Sequence, residues 1–475
     1  MANSLKSREI DIPKDGTTDP FLNCLLERGK YASVLTNVVS NYSDGFVLAI
    51  NNEWGTGKTT FLKMWKQSLK NEGFETIYFN AWNNDFQEEV IIALLSELRQ
   101  FESQGREKFK KVLKNALPVL KGAGIELLKH AVGKATGDKA VELMIGAFGD
   151  YSLDSLHKNL EQYEEKKKGI EAFRSSLKEY LEEIDNDKPL IFFIDELDRC
   201  RPDYSVKVLE KIKHLFNVNG IVFVLSIDKE QLGHAICGAY GSENIDSNEY
   251  LRRFIDLEYS IPKPDNKRYI KFLVDNYGLK DFFGNRKGIH GYQYDLDYTI
   301  LFLESIQNSL NISLRKMEKI LGHISVSLKS LDKRSMILPI SLIFMVTLKL
   351  SDNNFYRKMK NKTASLQELN DFFEDLFLEG WPQDKYHILS FFESELLYNY
   401  WQYLPRSNNE KLFEKTEDLN DNITLKINSE LNKNLDPNNL SANINAITRD
   451  YSREERFYHL NIIIESIDLT KRFLL

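Results

Sequence analysis

The sequence predicts an α/β fold in which a parallel, doubly wound sheet presents ligand-binding loops at the carboxyl ends of its strands. Three observations predict it. Apolar runs at residues 46–50, 190–194 and 221–227, the last broken only by Ser226, suit parallel strands covered on both faces. Each run leads into a stretch whose apolar residues recur at helical spacing, the alternation that builds such sheets. Each run also ends on chemistry: a glycine-rich segment after the first, Asp195 and Glu196 after the second, Asp228 after the third. In open sheets of this kind ligands sit beyond the carboxyl ends of the strands.

The segment after the first run reads Asn52, Glu53, Trp54, Gly55, Thr56, Gly57, Lys58, Thr59, Thr60. That spacing is a phosphate-binding loop. Gly55 and Gly57 let successive backbone N–H groups converge on a β-phosphate, Lys58 reaches the β- and γ-phosphates, and Thr59 offers an oxygen to Mg2+. Trp54, Thr56 and Thr60 complete the candidate nucleotide-binding stretch. Phe61, Leu62, Trp65 and Leu69 then fall on one face of a helix whose positive end points at the phosphate. Asn52 stands where the usual pattern has its first glycine, and the expectation is that asparagine tolerates a left-handed backbone there.

A second strand is expected at 75–79, followed by Asn80, Ala81 and Trp82 and a helix at 90–98. Between 106 and 139 nine lysines and arginines face three acids, with leucines at rough helical spacing that Pro118 and several glycines interrupt. Two readings stand: a solvated insertion packing its leucines on the core, or a surface for a membrane leaflet or a nucleic-acid backbone. Apolar steps of three and four over 170–184 give an amphipathic helix that delivers the chain to the acidic site. There Asp195 can hold Mg2+ opposite Thr59, because the ion takes hard oxygen ligands. Glu196, one residue on, can orient the water that attacks a γ-phosphate. Asp198 and Arg199 are candidates for ion pairs that steady this segment, or for a direct catalytic role. Asp228 is either a sensor of the γ-phosphate or the cap of a helix beginning at Lys229. Arg252 and Arg253 are candidates for a guanidinium supplied to a neighbouring subunit's phosphate, against plain surface salt bridges; Arg315 is a candidate second sensor from the helical part.

Composition sets limits. The 475 residues are 42% hydrophobic and 28% charged, enough for a large core. A net charge of −7 argues against non-specific clinging to nucleic acid, so any such contact is local. Cys24, Cys200 and Cys237 are too scattered for a disulfide framework or a zinc site and point to a reducing, cytoplasmic setting. The first residues lack the apolar core of a signal peptide. The longest uncharged apolar run, 336–348, is shorter than the roughly 20 residues that span a bilayer, so a buried helix is expected. Beyond about residue 264 helical patterns dominate. The stretch 408–439 is rich in Asn, Asp, Glu and Lys and is expected to be loosely structured, with Leu419, Ile423, Leu425 and Ile427 able to pin parts of it, while an apolar helix at 457–475 is expected to dock.

At these positions the chain resembles the KAP family of P-loop NTPases, a branch of the STAND-related ATPases. Four blocks carry the resemblance: the tryptophan-bearing loop from Glu53 to Thr60, the strand exit Phe79, Asn80, Ala81, Trp82, the acidic strand end from Ile194 to Cys200, and the run from Val222 to Asp228. Residues 250–254 and 313–315 are similar to two weaker blocks. The resemblance implies a RecA-like (ASCE) sheet with a helical lid, binding and hydrolysis of ATP with Mg2+, and action as a nucleotide-controlled switch, often in phage exclusion or other bacterial conflict systems. Many relatives carry membrane-spanning helices where this chain has its lysine-rich stretch, so this member is expected to be soluble or at most peripheral. The organisation that follows is a lead-in at 1–20, a nucleotide-binding core at 21–265 with a basic insertion at about 101–150, a helical lid at 266–345 and an α-helical C-terminal region at 346–475. A homo-oligomer or a partner protein is the expected assembly. An ATPase switch leads; a nucleotide-gated scaffold with little turnover and a nucleic-acid-associated ATPase are the alternatives.

Overall fold

The computed structural model describes residues 10–42, 45–87, 89–120, 153–184, 187–242, 244–263, 265–284, 294–331, 337–405, 412–415, 423–435, 439–451 and 459–469. The chain divides into two compact units, Ile10–Lys263 and Pro264–Leu475.

The first unit holds a five-stranded sheet in the order β2-β3-β4-β1-β5. Its strands are β1 (Val47–Asn51), β2 (Thr76–Asn80), β3 (Leu190–Asp195), β4 (Ile221–Ile227) and β5 (Leu257–Tyr259), and every pairing is parallel. Four of these lie within a residue of the predicted runs. β5 was not foreseen, because an edge strand of three residues with Leu257 and Glu258 exposed carries no apolar run to read.

Alternate residues of the central strands serve opposite faces, as pleating requires. On one face Leu48, Ile50, Ile191, Phe193, Val222 and Val224 pack with α1 (Gly29–Asn41) and α2 (Lys58–Asn71). Trp65 of α2 sets its ring edge-on to Phe193 at 5.3 Å and donates its indole N–H to Thr36 Oγ1 at 2.9 Å. The helix that follows the phosphate loop is thereby pinned to the sheet and to α1. On the other face Val47, Ala49, Phe192, Ile194, Phe223 and Leu225 pack with α3 (Val90–Leu98), α5 (Leu153–Ile184), α6 (Pro202–Lys211) and α7 (Lys229–Tyr240). Each large apolar side chain so covered contributes about 1.5–3 kcal/mol, which makes the sheet a rigid base for its loops.

The described part of the basic stretch forms α4 (Arg106–Ala116), which buries Phe109, Val112 and Ala116 and packs Phe109 against Tyr180 of α5 at 5.1 Å. Three of its four lysines find acids: Lys108 meets Glu183 at 2.5 Å, Lys111 meets Glu179 at 2.8 Å, and Lys110 meets Glu107 at 2.8 Å. The remaining basic positions, from Lys121 to Lys139, lie outside the described residues.

The second unit is helical apart from a short antiparallel pair, β6 (Phe413–Lys415) and β7 (Ile423–Leu425). The buried helix expected from 336–348 is Pro339–Ser351, buried at every position from Pro339 to Leu348. It packs against Leu314–Lys329 and Tyr386–Tyr403, so the stretches expected as a lid and as a C-terminal region share one unit. Polar composition suggested a loose 408–439, yet Leu412, Ile427 and Leu431 are buried within it; Leu419 lies outside the described residues. Ser429 Oγ, in that stretch, sits 2.9 Å from both Glu374 and Glu393. Burial and the charge of Glu374 push the Glu393 carboxyl up to about 8. Glu395 accepts the Ser341 N–H at 2.9 Å at the start of Pro339–Ser351, and burial pushes it up to about 8 as well. The described part of the last helix is Leu460–Ile467. Among the described residues no helix is long and apolar enough to cross a membrane.

Candidate functional site

Parallel pairing brings the carboxyl ends of the strands to one edge. Asp195 pairs in register with Ser226, and Ser226 with Ile50, so the acidic end of β3 stands level with the end of β1 across a single strand. The phosphate loop leaves from that edge. Gly55 at φ +80° and Gly57 at φ +84° take the left-handed backbone that a side chain disfavours, and α2 begins at Lys58 with Thr59 and Thr60 in its first turn.

Asn52 departs from the expectation. Its backbone is not left-handed; its side-chain amide is the reason for it. Nδ2 donates to Ile261 O at 2.9 Å and Oδ1 accepts the Ile261 N–H at 2.9 Å, a two-way bridge that continues the β1–β5 pairing beyond β5. Lys58 is buried and donates through Nζ to Asn52 O and, at 3.1 Å, to Glu53 O. Burial lowers the pKa of its ammonium, opposed by the carboxylates of Asp198, Asp228 and Asp195. Behind the loop the buried Arg28 donates to Gly57 O at 3.2 Å and Thr56 O at 2.7 Å. Sequence reasoning missed Arg28, whose only signal is a cation just before an amphipathic helix.

On the acidic side Asp195 is buried, accepting the Glu196 N–H at 3.0 Å and the Tyr78 hydroxyl at 2.7 Å. Burial and the Asp195 charge push the Tyr78 pKa up, so the phenol stays a donor. Glu196 adopts φ +61°, a left-handed conformation that costs a non-glycine residue roughly 1–2 kcal/mol. One carboxylate oxygen accepts Asn80 Nδ2 at 2.8 Å and the other pairs with Arg199 at 2.6 Å. The guanidinium of Arg199 lies 6.0 Å from the Trp54 ring and 5.7 Å from the Trp82 ring. Both indoles are about half exposed, at 44% and 50%.

The ion pair expected within this segment therefore runs from Arg199 to Glu196, and Asp198 does something else. Its Oδ2 accepts the Trp54 indole N–H at 2.5 Å and the Asp228 backbone N–H at 2.9 Å. Burial raises the Asp198 pKa, held back by those donors and by Lys58. Asp228 caps α7 through Gln231 N–H at 3.3 Å and receives the Trp54 N–H on its other oxygen at 3.2 Å. Asp198 and Asp228 together stitch the phosphate loop to the ends of β3 and β4.

The chain matches the profile described as the KAP family P-loop domain over residues 28–331, more than half of its length. It belongs to the KAP family. The family domain runs past the boundary between the two units, ending within the helical one. Among curated proteins, the phage T7 exclusion protein of Escherichia coli (strain K12) is 20% identical over 231 residues, 46% of this chain and 30% of that protein. The matched segment thus spans less than a third of that relative. Among solved structures, the Aeropyrum pernix ORC2 protein in ADPNP-ADP complexes aligns over 89% of this chain and 95% of its own, at 14% identity and a TM-score of 0.30.

In this KAP-family chain the P-loop domain implies nucleotide binding, and the loop, Asp195, Glu196, Asp198 and Asp228 are gathered at one edge. Arg252 and Arg253 are not among them. Arg252 closes the short helix α8 (Ser247–Arg252), is strongly exposed and pairs with Glu249 at 3.0 Å; Arg253 follows it, exposed. Neither makes a described contact with the loop or the acids. Arg315 lies in Leu314–Lys329, in the helical unit. Among the described residues no group of three or more His, Cys, Asp or Glu could hold a metal alone. Thr59 and Asp195 are hard-oxygen donors suited to Mg2+, so a cation here would complete its shell with water and nucleotide oxygens.

Proposed function

We propose that this KAP-family protein binds ATP with Mg2+ and hydrolyses it, using the cycle to reset a conformational switch. The observation that carries the reading is the level register of the β1 and β3 ends together with the Asp198 bonds that join Trp54 of the loop to the acidic segment. In this reading the loop amides and Lys58 receive the phosphates, Thr59 and Asp195 hold the magnesium, and Glu196 orients the water. Magnesium supplies charge neutralisation at the phosphates. Thr60, Trp54, Gly55, Thr56, Gly57 and Asp228 shape the nucleotide site, with Arg315, Arg252 and Arg253 as guanidiniums supplied from the helical unit or a second subunit. Residues 266–345 act as the lid. Similarity to a phage T7 exclusion protein supports a role in phage defence, in a reducing cytoplasm, as part of a homo-oligomer or a complex with a partner protein.

The test is steady-state ATP turnover with nucleotide binding measured alongside. Lys58→Ala is expected to lose binding, and Glu196→Gln to keep binding while turnover falls at least a hundredfold. Undiminished phosphate release from Glu196→Gln removes Glu196 from the role.

A second reading, a nucleotide-gated scaffold with little turnover, is favoured by the two protein donors that hold both oxygens of Glu196. The nucleic-acid reading gains nothing from α4, whose Lys108 and Lys111 are already paired with acids of α5.

A further inference from the structure

Among the described residues Arg199 is the one cation paired with Glu196, and its surroundings are unusual for an arginine that only steadies a loop. Its guanidinium lies against two half-exposed tryptophans from different strand exits, Trp54 in the phosphate loop and Trp82 after β2. Attraction to two indole rings, whose centroids lie 6.0 and 5.7 Å away, helps hold the guanidinium and its N–H donors in place. Those donors point at Glu196, which they reach at 2.6 Å with both partners mostly shielded from solvent. The second Glu196 oxygen belongs to Asn80. Each oxygen keeps a second lone pair that a water can use, but while the guanidinium holds Oε1 the carboxylate's orientation is fixed and its negative charge is offset by a cation. Asn80 is neutral and set by β2; Arg199 is charged and leans on the phosphate loop.

We propose that Arg199 is a positioning residue that latches Glu196, and that Trp54 makes the latch responsive to the phosphate loop. This rests on the hydrolytic reading given above. Trp54 is gripped at three points, by Asp198 at its indole, by Asp228 at its backbone N–H and by the face of Arg199. A triphosphate drawn to Gly55 and Gly57 reorganises the residue beside them and offers Arg199 a stronger anion than Glu196. The guanidinium then leaves Glu196 Oε1, and Asn80 keeps the freed carboxylate in place. Trp82 serves as the fixed jaw.

The experiment compares ATP turnover of the full chain with that of Arg199→Ala, Arg199→Lys and Trp82→Ala, reading kcat and KM separately. Arg199→Ala is expected to raise kcat about tenfold with KM for ATP within about twofold, which corresponds to about 1.4 kcal/mol no longer needed to open the pair. Trp82→Ala, at an exposed site, is expected to raise kcat by a smaller factor, and Arg199→Lys, which keeps the charge, to stay near wild type. A merely structural role moves kcat and KM together and is not rescued by lysine. If the wild type hydrolyses ATP while Arg199→Ala and Trp82→Ala match it or fall below it, the latch is refuted and the hydrolytic reading survives. If all four bind ATP and none turns it over, both fall.

Discussion

Replacing Asn52 by glycine would restore the usual residue of a phosphate loop and is expected to damage this one. The structure shows why. The amide of Asn52 makes two bonds of 2.9 Å to the backbone of Ile261, whose side chain is buried. A typical intramolecular hydrogen bond contributes about 0.5–1.5 kcal/mol net, so losing two costs about 1–3 kcal/mol. Glycine adds about 0.5–1 kcal/mol of backbone entropy and returns nothing, because the φ at position 52 is not left-handed. The sum, about 1.5–4 kcal/mol, is expected to lower the melting temperature of the nucleotide-binding unit by roughly 3–16 °C at about 2–4 °C per kcal/mol for a body of this size. Asn52→Ala should lose the same bonds and fall in the same direction. The assay is urea denaturation and thermal melting of both variants beside wild type. An Asn52→Gly protein as stable as wild type, or more so, would refute the bridge as the reason for asparagine and reinstate backbone tolerance.

Arg28→Ala removes two bonds from the carbonyls of Thr56 and Gly57 and is expected to weaken ATP binding about tenfold, since about 1.4 kcal/mol of loop preorganisation is a factor of ten; equilibrium titration with a fluorescent ATP analogue reads it, and an unchanged Kd contradicts it. Glu393 and Glu395 carry pKa values near 8 in the fold against 4.5 ordinarily, so the native state holds protons that the unfolded chain has released. Their contribution is complete below about 4.5 and is lost as pH rises through about 8, a slope of order 1 kcal/mol per pH unit for each group. Denaturation midpoints between pH 5 and 8 should therefore fall as pH rises, and Glu393→Gln should flatten that fall; equal slopes in variant and wild type would show that Glu393 is not the source. Phe193→Ala, beneath Trp65, is expected to cost about 3–5 kcal/mol in the same denaturation assay.

Much of the nucleotide-binding unit was legible because its signals are local. A strand buried on both faces must be apolar almost throughout, so 190–194 and 221–227 announced themselves, and a loop that wraps a phosphate needs glycine where φ is positive, as at Gly55 and Gly57. β5 was hidden by its exposure on one edge, and polar neighbours left Ile423 and Leu425 readable as pinning residues but not as a strand paired with Phe413–Lys415. Residue roles that depend on a partner far along the chain were harder. Asp198 and Arg199 were expected to act within their own segment, yet Asp198 bonds to Trp54, 144 positions away, and Arg199 is shared between Glu196 and two tryptophans.

By itself the sequence determined four of the five strands of the parallel sheet and placed the loop glycines and the acids of the third strand at their carboxyl ends, because hydrophobic period and glycine placement act within a few residues. Only the tertiary structure decided why Asn52 replaces glycine, what Arg28 does and which donors hold Glu196. Those contacts join positions brought together by strand order, and a hydrogen bond of about 3 Å between distant residues leaves no periodic trace in one chain.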